Sequence, residues 1–201
     1  VIQSAWGGTR AEAWTSLSGL KQEPALAHYV TAYEKNVKDN PEILATYPQK
    51  QKEFDEAVRE WDKTVGKEWN QAQKEWAIAV KAAQADGKPA PPKPQPRVPR
   101  PPNPRKPHGG NNGPSNPFNA MISPLIPLSI KGVIWYQGES NSVRYEKYQE
   151  VFTNLINSWR KEWNQPDMPF YFVQIAPHYK QPAGIREAQL KTWLSGLENI
   201  G

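Results

Sequence analysis

Cysteine is absent from the 201 residues, and histidine and methionine are scarce, at three and two. Without cysteine there are no disulfides and no thiolate metal sites, and the compartment is left open. Three scattered histidines make no ligand cluster. No apolar run approaches the ~20 residues that a membrane helix requires. Neither G-x-G-x-x-G nor a Walker-type loop occurs, so no phosphate cradle of those kinds is present. Hydrophobic residues make up only 37% of the chain, and the mean hydropathy is −0.80. The shortfall is local. From Lys88 to His108 there is no Asp or Glu, but there are ten of the 21 prolines and six Lys or Arg. Setting those six charges aside reduces the formal +5 to about −1 for the remainder. The basicity therefore belongs to one tether, where it keeps proline-rich chain solvated, and it gives no reason to expect nucleic acid as a partner.

What is present falls into four stretches. Residues 1–20 open an α/β body, with Val1–Thr9 predicted as a strand that leaves into a Gly-Gly turn, followed by a helix from about Arg10. Residues 21–87 read as a helical, coiled-coil-like insertion. Apolar residues sit at Leu26, Tyr29, Val30, Tyr33 and Val37, and then at Phe54, Val58, Trp61, Val65, Trp69, Ala72, Trp76 and Val80. Steps of three and four give a narrow helical seam. Asn40-Pro41 predicts a break and Asp86-Gly87 a stop, so the sequence suggests a long helical hairpin. Residues 88–117 are a proline-rich basic linker, extended and without ladder hydrogen bonds. Residues 118–201 return to the α/β body. Strands are predicted at Ile130–Tyr136 and Phe170–Ile175, with helices at Val143–Trp163 and Gly184–Leu197. That order implies parallel strands with crossover helices.

Chemistry concentrates at two turns. Gly132-Val-Ile-Trp-Tyr-Gln-Gly-Glu-Ser-Asn141 runs from a buried strand into an amide, a carboxylate and a hydroxyl, and ligands of α/β proteins collect where such strands end. Ser4-Ala-Trp-Gly-Gly-Thr-Arg-Ala-Glu-Ala-Trp14 repeats that logic. Gly7 and Gly8 lack a Cβ, which lets backbone N–H groups approach an anionic oxygen, or they serve only the angles of the turn. Gln137 can offer a side-chain amide to the same oxygen, or bond to a neighbouring loop. Glu139 can orient a histidine, or hold its own turn. Ser140 and Asn141 suit helix capping. Trp61, Trp69 and Trp76 belong to the helical seam. Trp14 and Trp135 read as core, and Trp6 sits where a sugar ring could stack.

These segments together resemble the sialate O-acetylesterase family of SGNH-type carbohydrate esterases. Asn119-Ala-Met-Ile-Ser-Pro-Leu125 is similar to the family's Asn-Gly-Met-Ile-x-Pro-Leu, with Ala120 replacing glycine. Phe170-Tyr-Phe-Val-Gln-Ile-Ala-Pro177 and Ile185-Arg-Glu-Ala-Gln189 resemble two further family segments in the expected order. The resemblance covers Val1 to about Leu20 and Asn119 to Gly201. It implies an SGNH-hydrolase-like (flavodoxin-like) doubly wound parallel sheet, present in part and interrupted by the insertion. It also implies a serine esterase acting on acetylated sugars, without cofactor or metal, in a secreted or periplasmic setting. Gly7, Gly8 and Gln137 become oxyanion-hole candidates, and Glu139 an orienting acid. The family's Gly-Gln-Ser-Asn-Met and Asp-x-x-His-Pro blocks, which carry the nucleophile and the base, do not occur. The chain thus reads as a central segment of such an esterase, inactive alone, with Ser4 and His178 as the weak internal substitutes. A different class of function competes with it: a non-catalytic module that binds a protein partner through the helical insertion and the basic polyproline tether.

Overall fold

Between residues 148 and 159, Tyr148, Val151, Phe152, Leu155, Ile156 and Trp159 recur at three- and four-residue steps. In the computed structural model they form the buried stripe of one helix. The structure describes residues 1–126 and 128–201. Its helices are α1 (Leu17–Gln22), α2 (Ala27–Asp39), α3 (Pro41–Trp61), α4 (Lys67–Ala85), α5 (Tyr148–Glu162) and α6 (Gly184–Trp193), and its strands are β1 (Val133–Trp135) and β2 (Phe170–Phe172). The chain divides into two units, Val1–Pro41 with Pro107–Gly201, and Glu42–Lys106.

In the first unit β1 and β2 pair in parallel, Val133 opposite Phe170 and Trp135 opposite Phe172, as the strand–helix–strand order predicts. Side chains alternate across a strand. Val133, Trp135, Phe170 and Phe172 therefore face the core, while Ile134 (84% exposed) and Tyr171 (58%) point the other way. Trp135 is the hub. Its ring stacks on Phe152 at 5.9 Å and meets Trp14 and Trp159 edge-on at 6.3 and 5.9 Å. The helix α5 ends where Asn164 takes a left-handed φ of 52° and Gln165 N–H returns to the Arg160 carbonyl at 2.9 Å, a closure that satisfies otherwise orphaned carbonyls. Ser16 caps α1 by accepting from Gly19 N–H at 3.1 Å. Gly19 allows α1 to press on α5, since a Cβ there would lie 2.7 Å from Ser158 Cβ.

Two expectations change. Val1–Thr9 forms no strand; Val1, Ile2 and Trp6 are exposed. An extended segment needs a ladder partner for its N–H and C=O groups, and among the described residues the sheet is β1 and β2 alone. The boundary of the insertion also moves. Residues 21–41 sit with the body, because Leu20, Leu26 and Val30 share the core with Trp14 and α5, and the chain rejoins the body at Pro107 instead of residue 118.

In the second unit α3, which carries Pro48 in its interior, runs into α4 without a break in helical backbone, through a π-helical turn at Asp62–Gly66. Gly87, at φ +67°, ends it, and Lys88 N–H returns to the Ala83 carbonyl at 2.8 Å. The expected hairpin of two helices is instead a helix with a proline-rich return arm. Prolines from Pro89 onward have no N–H for an intrahelical bond and clash with the preceding turn, so that arm stays extended. It is not a free tether, since the Trp61, Trp69 and Trp76 indoles donate to its carbonyls.

Candidate functional site

The Gly-Gly turn is pinned from beneath and open above. Thr9 Oγ1 donates to the Trp6 carbonyl at 2.6 Å and accepts from the Trp14 indole at 2.8 Å. Asn112 spans the turn's outer side, donating to the Gly8 carbonyl at 3.1 Å and accepting from Arg10 N–H at 3.0 Å. Gly8 holds φ +75°, a left-handed conformation that suits glycine. Both glycines are exposed, with nothing within 4 Å of the Cβ position of either. Their N–H groups meet no acceptor among the described residues. Fixed, unspent backbone donors of this sort attract an anionic oxygen.

The second turn leaves the end of β1. Gly138 lets the chain pass close to α6, since a Cβ there would be 3.1 Å from both Gln189 Nε2 and Ile175 Cγ2. Gln137 joins the two turns. Its Nε2 donates to the Thr9 carbonyl at 3.1 Å and to Asn141 Oδ1 at 2.7 Å, while its Oε1 accepts from the Tyr148 hydroxyl at 3.0 Å. Tyr148 thereby fixes which end of the amide faces the glycine turn. Asn141 Oδ1 also accepts from Ala11 N–H at 2.9 Å, and its Nδ2 donates to Glu12 Oε2 at 2.9 Å. Arg144 completes the chain with a 2.5 Å ion pair to Glu12 Oε1, its guanidinium 5.4 Å from the centre of the Tyr29 ring. Gln189 ties the strand ends together, donating to the Gln137 carbonyl at 3.0 Å and accepting from Ile175 N–H at 3.0 Å.

Burial sets the electrostatics. Glu12 is 2% exposed, and the Asn141 amide and the Arg144 guanidinium compensate its charge. Burial pushes the Tyr148 hydroxyl well above the ordinary tyrosine value of 10.0, so it remains a donor at neutral pH. Tyr29 is raised too, first by burial and then by the Glu12 charge.

The structure brings Gly7, Gly8 and Gln137 to one place. Both amide hydrogens of Gln137 are already engaged there, so it acts first as a brace. Glu139 is exposed, and its carboxylate accepts no hydrogen bond from the described residues, so the side chain does not hold its own turn. Asn141, expected to cap a helix, spends its side chain on the bridge instead. Ser4 Oγ donates to the Met121 carbonyl at 3.2 Å, and His178 Nδ1 accepts from Lys180 N–H at 3.2 Å, so the two are not partners. His28 bonds to the Ala25 carbonyl three residues back, and His108 to the Tyr33 hydroxyl. Trp14 and Trp135 are core, while Trp6 is 54% exposed. Among the described residues no group of three His, Cys, Asp or Glu side chains converges as for a metal ion. Sequence reasoning missed Glu12, Arg144, Tyr148 and Gln189. Glu12 did carry a signal, as one acid between alanines in a run otherwise fit for burial.

Residues 114–200 match the family described as carbohydrate esterase, sialic acid-specific acetylesterase. The chain is similar to the sialate O-acetylesterase of Mus musculus, 42% identical over 67 residues that cover 29% of this chain and 12% of that protein. It is also similar to a probable carbohydrate esterase of Arabidopsis thaliana, 38% identical over 71 residues, 34% of this chain and 27% of that protein. A crystal structure of a carbohydrate acetylesterase from Xanthomonas citri aligns with a TM-score of 0.41 and 38% identity, over 45% of this chain and 23% of that one. The chain thus spans about one eighth of the mouse relative's length.

Proposed function

From the match of residues 114–200 to the sialic acid-specific carbohydrate esterase family, we propose that the chain carries the oxyanion side of a carbohydrate O-acetylesterase site. The body around it would be part of an SGNH-type doubly wound sheet. The observation that carries the proposal is the pair of unspent N–H groups at Gly7 and Gly8, held rigid next to Gln137. Ester hydrolysis by a serine requires a nucleophile, a general base, and donors aimed where charge develops on the carbonyl oxygen. Gly8 and Gly7 are those donors. Gln137 sets the distance between the turns, and it adds an N–H only by releasing Thr9 or Asn141. Glu139, exposed at the strand end and unpaired, is free to orient a histidine. The nucleophile and the histidine come from outside these residues, since Ser4 and His178 are committed elsewhere. The substrate is an acetyl ester on a sugar, against which the exposed Trp6 ring can stack. A non-catalytic module that binds a protein partner through the helical insertion and the basic polyproline tether is the less favoured function, because residues 91–98 already occupy the tryptophan seam.

The test is acetate release from a simple acetyl ester, by residues 1–201 and by the chain extended on both sides. Activity in the extended chain alone is the expected result. In that chain Gly8→Ala, which is strained at φ +75°, should lower kcat by about 10²-fold with KM little changed. Hydrolysis by residues 1–201 alone refutes the assignment.

A further inference from the structure

The second unit contains a contact that the esterase chemistry does not use. Trp76 Nε1 donates to the Pro91 carbonyl at 2.8 Å, Trp69 Nε1 to the Pro94 carbonyl at 3.4 Å and Trp61 Nε1 to the Val98 carbonyl at 2.8 Å. Cations of the strap lie over rings of the helix, Lys93 Nζ 5.9 Å from Trp76 and the Arg100 guanidinium 5.8 Å from Phe54, and Arg97 pairs with Glu68 at 3.1 Å. The strap runs antiparallel to the helix.

The two repeats match in length. An α-helix rises ~1.5 Å per residue and a polyproline strand ~3.1 Å. From Trp76 to Trp69 is about 10.5 Å, against about 9.3 Å from Pro91 to Pro94. From Trp69 to Trp61 is about 12 Å, against about 12.4 Å from Pro94 to Val98. The longer second step is built into both partners. In the helix the π-turn Asp62–Gly66 takes up the extra residue, and in the strap a bend falls at Arg97–Val98. Pro91 and Pro94, and again Pro101 and Pro104, are half-buried three residues apart, the spacing of a polyproline strand, and half-buried Pro96 breaks that period just before the bend.

We propose that Trp61, Trp69 and Trp76 form a polyproline-binding site, with segment 91–98 as its resident intramolecular ligand. Its ligand class is a left-handed polyproline strand laid antiparallel to the helix, offering carbonyls at steps of three and four. Proline supplies a preformed strand whose carbonyls have no internal partners, so little conformational entropy is lost on binding. The tether gives the resident strand an effective concentration on the order of millimolar, so a strand from another molecule competes only above that level or once the strap is released.

Hydrogen exchange of the indole N–H groups in the intact chain tests this directly. Those of Trp61, Trp69 and Trp76 should exchange at least about fivefold more slowly than that of exposed Trp6. Exchange at the Trp6 rate in all three overturns the proposal whether or not any variant folds. In the full chain carrying Pro91→Gly, Pro94→Gly and Pro96→Gly, the three indoles should exchange fast. Added peptide 88–106 should slow them again and shift tryptophan emission to the blue, while a peptide of the same charges with glycine for every proline should not. Unchanged protection in the variant, failure of the proline peptide to restore it, or equal binding by the glycine peptide would each overturn the proposal.

Discussion

Glu12→Gln changes one atom of the network that holds the two site turns together. The carboxylate accepts from Asn141 Nδ2 on one oxygen and from Arg144 on the other. A primary amide can accept at only one of these places, and its NH₂ must face a donor at the other. Asn141 is 1% exposed and cannot turn away, whereas the Arg144 side chain is 35% exposed and can swing to water. The amide oxygen therefore stays on Asn141 and the arginine is released. The loss is one charge-assisted hydrogen bond, about 1.5–3 kcal/mol, so about 2 kcal/mol is expected with the arginine rehydrated. For a chain of this length that is a fall in Tm of roughly 4–8 °C. Amide exchange at Ala11, whose N–H is held by Asn141, should stay slow relative to global unfolding, since Asn141 keeps its partner. The background matters more than the size. Once Arg144→Met has removed the cation, Glu12 is a buried carboxylate without its counter-charge, and neutralising it by Glu12→Gln should become neutral or stabilising. An equal cost of Glu12→Gln in both backgrounds would refute the Glu12–Arg144 ion pair as the source of that cost.

Two further outcomes follow from packing and titration. Gly66→Ala places a Cβ 2.7 Å from Trp61 Cζ3; the displaced ring should lose its bond to Val98, costing about 2 kcal/mol, read as faster exchange of the Trp61 indole N–H alone. Tyr148, Tyr29 and Tyr33 are all raised above 10.0 by burial. The unfolded chain therefore releases protons that the folded chain keeps, and stability present below about pH 10 should fall at up to about 1.4 kcal/mol per pH unit per group above it. Urea midpoints across that range should show the fall, and Tyr148→Phe should flatten it; an unchanged slope in that variant would rule out the assignment to Tyr148.

Local pattern reveals what is locally caused. The stripe of α5, the strand–helix–strand–helix order and the stop at Gly87 all follow from periods of 3.6, apolar runs and one glycine, each readable within a dozen residues. The five motifs that resemble an esterase family pointed to the family that residues 114–200 match. The links between the turns were not legible. Glu12 and Asn141 are 129 positions apart, and a single long-range hydrogen bond leaves no period in the sequence. Tyr148 appeared only as one more apolar position on a helical face, although its hydroxyl sets the amide of Gln137. The strap failed to register for another reason. Polyproline has no apolar alternation, and its packing is written in the spacing of the tryptophans opposite, including the extra residue that the π-turn absorbs. The first nine residues read as a strand because composition alone supports one, while a strand also requires a neighbour.

Whether Gln137 braces the turns or donates to an oxyanion is decided by Gln137→Glu. The introduced carboxyl keeps an acceptor for Tyr148, so the bond that orients it survives. On its other side it meets two acceptors, the Thr9 carbonyl and Asn141 Oδ1, where the amide had placed two N–H groups. Asn141 cannot reverse to relieve this, since its Nδ2 is held by Glu12 and its Oδ1 by Ala11 N–H. If Gln137 is a brace, the charged variant forces the turns apart, at a cost on the order of 2 kcal/mol at neutral pH. The site then favours the protonated acid, which can donate to one of the two acceptors, so the carboxyl pKa rises above its unfolded value. A raised pKa means that the folded form gains protons first, and the deficit should shrink as pH falls through that value. Urea midpoints of the variant and its parent, measured from neutral pH to about pH 4, should therefore converge. A midpoint unchanged at every pH, with only acetate release by the extended chain diminished, would instead make Gln137 a donor and leave Asn141 and Thr9 without the brace inferred for them.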